Sequence, residues 1–180
     1  VVSSFFGSKF SHSVEELLVS PVSNFVILMG YVVGGVSRGL LVAVVVTLVS
    51  LFFTHLHIYS YLVVVVVVLM TSTLFALAGF INAVYANNFD DISIIPTFVL
   101  TPLIYLGGVF YSVRVLPEWA QMATKANPIF YMVNAFRYGL LGENATDVPI
   151  WISYAVMLVF VLLLGALGMF LLKRGIGLRS

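Results

Sequence analysis

Few side chains in this sequence could do chemistry, and their spacing argues against most catalytic uses. His55 and His57 stand two apart in a tight turn. Two imidazoles alone make a poor metal site, so both are read as loop residues without a metal. The chain contains no cysteine. Thiolate nucleophiles, disulfides and cysteine–zinc sites are therefore excluded. No glycine-rich loop ends in Lys-Ser or Lys-Thr, so nothing here cradles the phosphates of ATP. Lys9, Lys125 and Lys173 all lie in other contexts. No Asp/Glu pair occurs within an apolar run, where an intramembrane proton relay would need one. No catalytic residue is assigned and no metal or cofactor is expected on this chain.

The polar residues that do stand out sit beside apolar runs. Glu15 and Glu16 precede Leu17, Leu18 and Pro21. Tyr131, Asn134 and Tyr138 fall on one helical face with Arg137 beside them, shortly after Asn127-Pro128. Arg38 and Asn82 each occur inside a long apolar run. Asn82 reads as a helix–helix hydrogen bond or, alternatively, as part of a polar path. Asn144-Ala145-Thr146 fits a glycosylation sequon, a pattern short enough to arise by chance.

The elements that carry these residues follow from composition. Of 180 residues, 62% are hydrophobic and 8% charged. Soluble domains carry about a quarter charged residues, so lipid must be the solvent for most of this chain. A net charge of +1 provides no basic field for nucleic acid. The expected fold is an all-α integral membrane protein, a polytopic transmembrane helix bundle forming a single domain over residues 1–180.

A spanning helix needs about 20 apolar residues. Four runs meet this, at residues 25–53, 58–85, 92–111 and 151–172. Residues 1–10 read as the end of an earlier span. Pro96 sits near the start of the third run, and Pro102 should kink it. Counting back from Phe53 places Arg38 about one turn inside the membrane edge, where it can snorkel to headgroups. The alternative is an arginine facing a conduit. Lys173, Arg174 and Arg179 follow the last run and point to a cytoplasmic C-terminus. Residues 112–150 then face outside and 87–91 form a cytoplasmic turn.

Two stretches are not ordinary spans. Ser13 and Glu16 form a capping-box pattern, with Val14, Leu17 and Leu18 on one face and Pro21 ending the element. This short helix either lies on headgroups or docks a cytoplasmic protein, and its two acids suit the latter. In residues 116–142, Pro117 opens one helix, Asn127-Pro128 breaks it, and a second follows with Ile129, Met132, Val133, Phe136 and Leu140 on one face. Each helix, at roughly 11 residues, covers about half a hydrocarbon core. Either the pair lies flat at the interface, the reading the residues alone favour, or it dips into the outer leaflet as a re-entrant hairpin.

The passages "EELLVSP" (15–21), "LTPLIYLGGVFYSVRVLPEWAQ" (100–121) and "NPIFYMVNAFRYGLLG" (127–142) resemble, in order and spacing, the membrane subunit of type-2 ATP-binding-cassette exporters. That permease family includes drug-resistance, nodulation-factor and polysaccharide exporters. The resemblance covers nearly the whole chain. It implies a six-span subunit of which the first span and most of the second are absent here. It implies that residues 13–21, with Glu15, Glu16, Leu17, Leu18 and Pro21, are a coupling helix that meets a cytoplasmic ATPase subunit. It implies that residues 116–142, with Asn127, Pro128, Tyr131, Asn134, Arg137 and Tyr138, are paired outer gate helices beside a possible cargo path. The implied function is export across a bacterial inner membrane, by two permease copies, with ATP and Mg held in the partner ATPase. Apart from the resemblance, an ion-gradient carrier or channel and a non-transporting membrane scaffold are the other classes.

Overall fold

A computed structural model describes residues 1–10, 22–53, 58–88, 90–109 and 112–175. The described residues form helices joined by turns: α1 (Val2–Phe10), α2 (Asn24–Phe53), α3 (Tyr61–Tyr85), α4 (Asp91–Tyr105), α5 (Glu118–Lys125), α6 (Pro128–Leu141) and α7 (Ile150–Arg174). This is an all-α membrane protein. Among the described residues, α2, α3 and α7 are long and apolar enough to cross a bilayer.

The long helices form where valine and leucine runs contain no proline. Four of their hydroxyls are satisfied inside the helix: Ser37, Thr47, Ser50 and Thr73 donate to the carbonyls of Val33, Ala43, Val46 and Leu69. In hydrocarbon no water could serve them. Lipid tails are as apolar as leucine, so burial of apolar surface does not drive such helices together; close approach at small residues does. α2 and α3 pack antiparallel through such contacts. A Cβ placed on Gly35 would meet Ala76 at 2.8 Å, and one on Gly39 would meet Ser72 Oγ at 2.6 Å. α7 runs parallel to α3, with Gly165 facing Leu77 and Gly168 facing Phe80.

These contacts fix the relative heights of the helices. Gly39 stands opposite Ser72, near the middle of α3 (Tyr61–Tyr85). Arg38, itself at the midpoint of Asn24–Phe53, therefore stands level with the middle of α3.

Among the described residues two cores hold the bundle. At one end Phe5 packs edge-on against Tyr31 and Phe80, with Leu28, Val32, Leu77, Ala83 and Leu171 around them. A second core joins Val67 and Leu74 of α3, Met132 and Ala135 of α6 and Met157 of α7.

α4 is shorter and less regular than the expected 92–111 span. Its segment Pro96–Leu100 is π-helical, and the Thr101 amide and hydroxyl both donate to the Pro96 carbonyl. Pro102 has no N–H to offer the preceding turn, so the ladder widens here. The helix ends at Tyr105, and Gly108 adopts φ 70°, a left-handed conformation that glycine alone reaches without strain. Asn82 of α3, buried, donates to the Ile92 carbonyl at 3.2 Å, tying α4 to α3.

Candidate functional site

The segment between α4 and α7 carries the densest polar structure in the described chain. α5 and α6 form a helical hairpin. Asn127 is the N-cap of α6: its Oδ1 accepts the Ile129 amide at 3.0 Å, and Pro128 takes the first helical position. Its Nδ2 donates to the Leu103 carbonyl at 2.6 Å. The Gly107 amide that would close the last turn of α4 donates to Ile104 instead. One buried side chain thus starts α6 and satisfies an end carbonyl of α4.

The rest of α6 is bonded to three neighbouring segments. Asn134, 2% exposed, uses both ends of its amide. Its Nδ2 donates to the Val148 carbonyl at 2.9 Å and to Ser153 Oγ at 3.0 Å. Its Oδ1 accepts the amides of Asp147 at 2.8 Å and Val148 at 3.3 Å. Arg137 Nη2 donates to the carbonyls of Gly108 at 2.6 Å and Val109 at 3.3 Å, and Nη1 lies 3.8 Å from Asp147 Oδ2. Asp147 also accepts the Ser112 hydroxyl at 2.8 Å and the Val113 amide at 3.4 Å. Tyr131 donates to the Lys125 carbonyl, closing the hairpin at α5. Tyr138 packs edge-on against Tyr59.

α6 lies along α3. Its last turn meets the start of α3, where the Ser60 amide donates to the Gly139 carbonyl at 2.9 Å. A Cβ on Gly139 would come within 2.7 Å of Val64. Its first turns meet the middle of α3, where Met132 packs in the core with Leu74. Ser60 and Leu74 are about 21 Å apart along the helix axis at 1.5 Å per residue. The buried stripe is not the one expected. Ile129 and Met132 are buried, but Phe136 is exposed, and Asn134, Ala135 and Gly139 are buried in its place. Small residues admit the neighbouring helices closely, whereas an exposed phenyl ring costs nothing against lipid.

An apolar cavity of about 350 Å³ lies beside the hairpin tip, lined among others by Leu74, Ala78, Pro96, Leu103, Ile129 and Phe160. Among the described residues no three His, Asp or Glu side chains converge on a metal site.

The structure brings Asn127, Pro128, Tyr131, Asn134, Arg137 and Tyr138 onto one short helix and its cap. Asn127 and Asn134 are buried and bonded; the others are partly exposed. Sequence reasoning missed Asp147, Ser112 and Ser153. The signal available was an isolated acid ten residues beyond Arg137. Glu15, Glu16, Leu17, Leu18 and Pro21 lie outside the described residues.

Membrane-length helices, a proline-broken helix and a hairpin bonded between them define a polytopic membrane protein. Residues 1–141 match the family model of the ABC-2 type transporter, and the chain belongs to that family. It is 52% identical over 180 residues, all of this chain and 70% of the relative, to the inner membrane transport permease YadH of Escherichia coli strain K12. It is similar to the same degree to the Shigella flexneri permease of that name. Nodulation protein J of Rhizobium leguminosarum bv. viciae is 22% identical over 147 residues, 82% of this chain and 57% of that protein. No solved structure matches the chain. The chain is an inner-membrane transport permease.

Proposed function

We propose that this chain is the membrane half of an exporter driven by a separate cytoplasmic ATPase subunit. Two copies pair around the translocation path in the lipid bilayer. ATP and Mg are bound by the partner, and this chain binds no cofactor. The C-terminus and residues 13–21 are cytoplasmic, and that segment receives the motion of the ATPase through Glu15 and Glu16. A ligand that binds the two conformations unequally is what shifts such an equilibrium, and here that ligand is the ATPase in its nucleotide-bound form.

The observation that supports this reading is the course of α6. Its end is bonded to Ser60 while its start packs beside Leu74, so the helix descends along α3 and its tip is held by Leu103 of α4. A hairpin that enters the membrane from outside, anchored on a helix containing a π turn, can close a path and transmit movement. The surface-lying alternative would keep both ends of α6 at one height. Asn127, Asn134 and Arg137 then act by holding the gate rather than by touching cargo, while the partly exposed Tyr131 and Tyr138 are the residues cargo would meet.

The test is co-purification with the ATPase subunit, followed by ATP-driven transport from reconstituted vesicles. Glu15→Lys is expected to lose the partner while the protein still inserts. Transport that persists without any ATPase, driven by an ion gradient, would replace this reading with a secondary carrier.

A further inference from the structure

We propose that the groove between α2 and α7 is a lipid-binding site, taking one acyl chain of an anionic phospholipid whose phosphate rests on Lys173. The groove has a volume of about 710 Å³. Leu28 and Val32 of α2 and Leu77 of α3 form a buried floor, and Met29, Val33 and Leu162 form exposed walls. It stays open where α7 carries small residues. A Cβ on Gly165 would meet nothing nearer than Leu77, at 4.0 Å. The groove lies on the other side of α3 from α1. Val2 covers Gly79, and Thr73 and Leu77 leave α3 about 120° and 160° round the helix from that glycine, at roughly 100° per residue.

The lining selects hydrocarbon. No charged side chain faces the groove. The two hydroxyls that do, Ser37 and Thr73, donate to the Val33 and Leu69 carbonyls of their own helices. From Phe25 to Ser37 the groove runs about 18 Å along α2 at 1.5 Å per residue, a little more than half of the ~30 Å hydrocarbon core. That is the reach of one acyl chain within one leaflet. An empty apolar groove would forfeit the dispersion contacts that such a chain supplies.

Charge selects the headgroup. A Cβ on Gly168 would lie 3.4 Å from Leu28 Cδ1, so these two residues are level. Counting outward from them, Asn24 at the start of α2 is about 6 Å farther along and Lys173 about 8 Å. Both therefore stand at the mouth of the groove. Lys173 is exposed and follows Leu162, Ala166 and Met169 on one face of α7. Asn24 marks the positive end of the α2 dipole, and Arg174 adds a second cation, held over the Phe170 ring at 4.5 Å. The acids described at this end, Asp90 and Asp91, belong to the turn before α4, where Asp91 accepts the Asn87 and Asn88 amides. A lipid phosphate at the mouth meets two cations and a helix N-terminus while its chain fills the groove. This site needs only membrane-embedded helices and is independent of any ATPase partner.

Thermal unfolding of the intact protein in dodecyl maltoside tests it, titrated with phosphatidylglycerol and with phosphatidylcholine of the same acyl chains. Phosphatidylglycerol is expected to raise the Tm at lower concentration than phosphatidylcholine. Lys173→Gln should weaken that response roughly fivefold, the size expected of one basic residue near an anionic surface. Gly165→Leu fills the groove and should abolish the response while leaving Lys173 in place. Ala166→Leu, at an exposed position, provides the comparison if the first variant does not fold. No preference for the anionic lipid overturns the site. A full response in the leucine variants also overturns it, and reduces the effect to general attraction at the surface. A leucine variant that keeps the lipid response but changes the oligomeric state would assign the groove to a second copy of the chain instead.

Discussion

Arg137 Nη1 stands 3.8 Å from Asp147 Oδ2, and the pair joins the two loops that enter and leave the hairpin. The arginine also holds the Gly108 and Val109 carbonyls after α4, and the aspartate holds Ser112 and Val113. Arg137→Ala is expected to cost about 1–3 kcal/mol, because Asp147 is only 10% exposed and would lose its cationic partner. Arg137→Lys should recover part of this, since an ammonium cannot reproduce the fork. A double-mutant cycle with Asp147→Asn, read by thermal unfolding, should show coupling of about 0.5–1.5 kcal/mol. Strict additivity would mean that the two residues act separately.

Asn134 satisfies two amides, a carbonyl and a hydroxyl at once. Asn134→Ala should destabilise by about 2–3 kcal/mol by orphaning them. Asn134→Asp is nearly the same shape but replaces the two donors with a buried charge. It should be at least as damaging as alanine. A residue lining a wet cargo path would tolerate the aspartate, so near-native stability in that variant would move Asn134 from scaffold to path.

Gly139 lets α6 approach α3 closely. An added Cβ would lie 2.7 Å from Val64 Cγ2 and 3.2 Å from the Val64 amide nitrogen. Gly139→Ala should therefore cost about 1–3 kcal/mol by overpacking. Val64→Ala removes the methyl groups but leaves the amide, so it should restore part of the loss in the double variant. Failure of Val64→Ala to restore anything would mean that the backbone contact dominates.

The absence of native cysteine permits a direct test of hairpin depth. Cysteines at Glu118 and Glu143 should both react with an impermeant maleimide added from outside. A cysteine at Ile129, packed 2.8 Å from a Cβ on Gly107, should label slowly. Fast reaction at Ile129 would favour helices lying flat. Opposite-side labelling of Glu118 and Glu143 would mean that the segment crosses the membrane.

The sequence by itself determined the solvent and hence the class. With 8% charged residues, and with runs of valine and leucine long enough to cross hydrocarbon, only membrane helices could satisfy the backbone. It also marked the Asn127-Pro128 break, because proline's missing N–H and fixed φ act locally. The end of α4 was harder to read: Pro102 predicted the local irregularity seen as the π turn, but at the exit after Tyr105 the Leu103 carbonyl is bonded by Asn127 from a distant segment. The pairing of Arg137 with Asp147, the burial of Asn134 in place of Phe136 and the level of Arg38 against α3 were decided only by tertiary structure. Each depends on which helix lies opposite and in what register. In lipid, where apolar faces are not sorted from polar ones by water, hydrophobic periodicity carries little of that information; small residues and hydrogen bonds between distant segments set it instead.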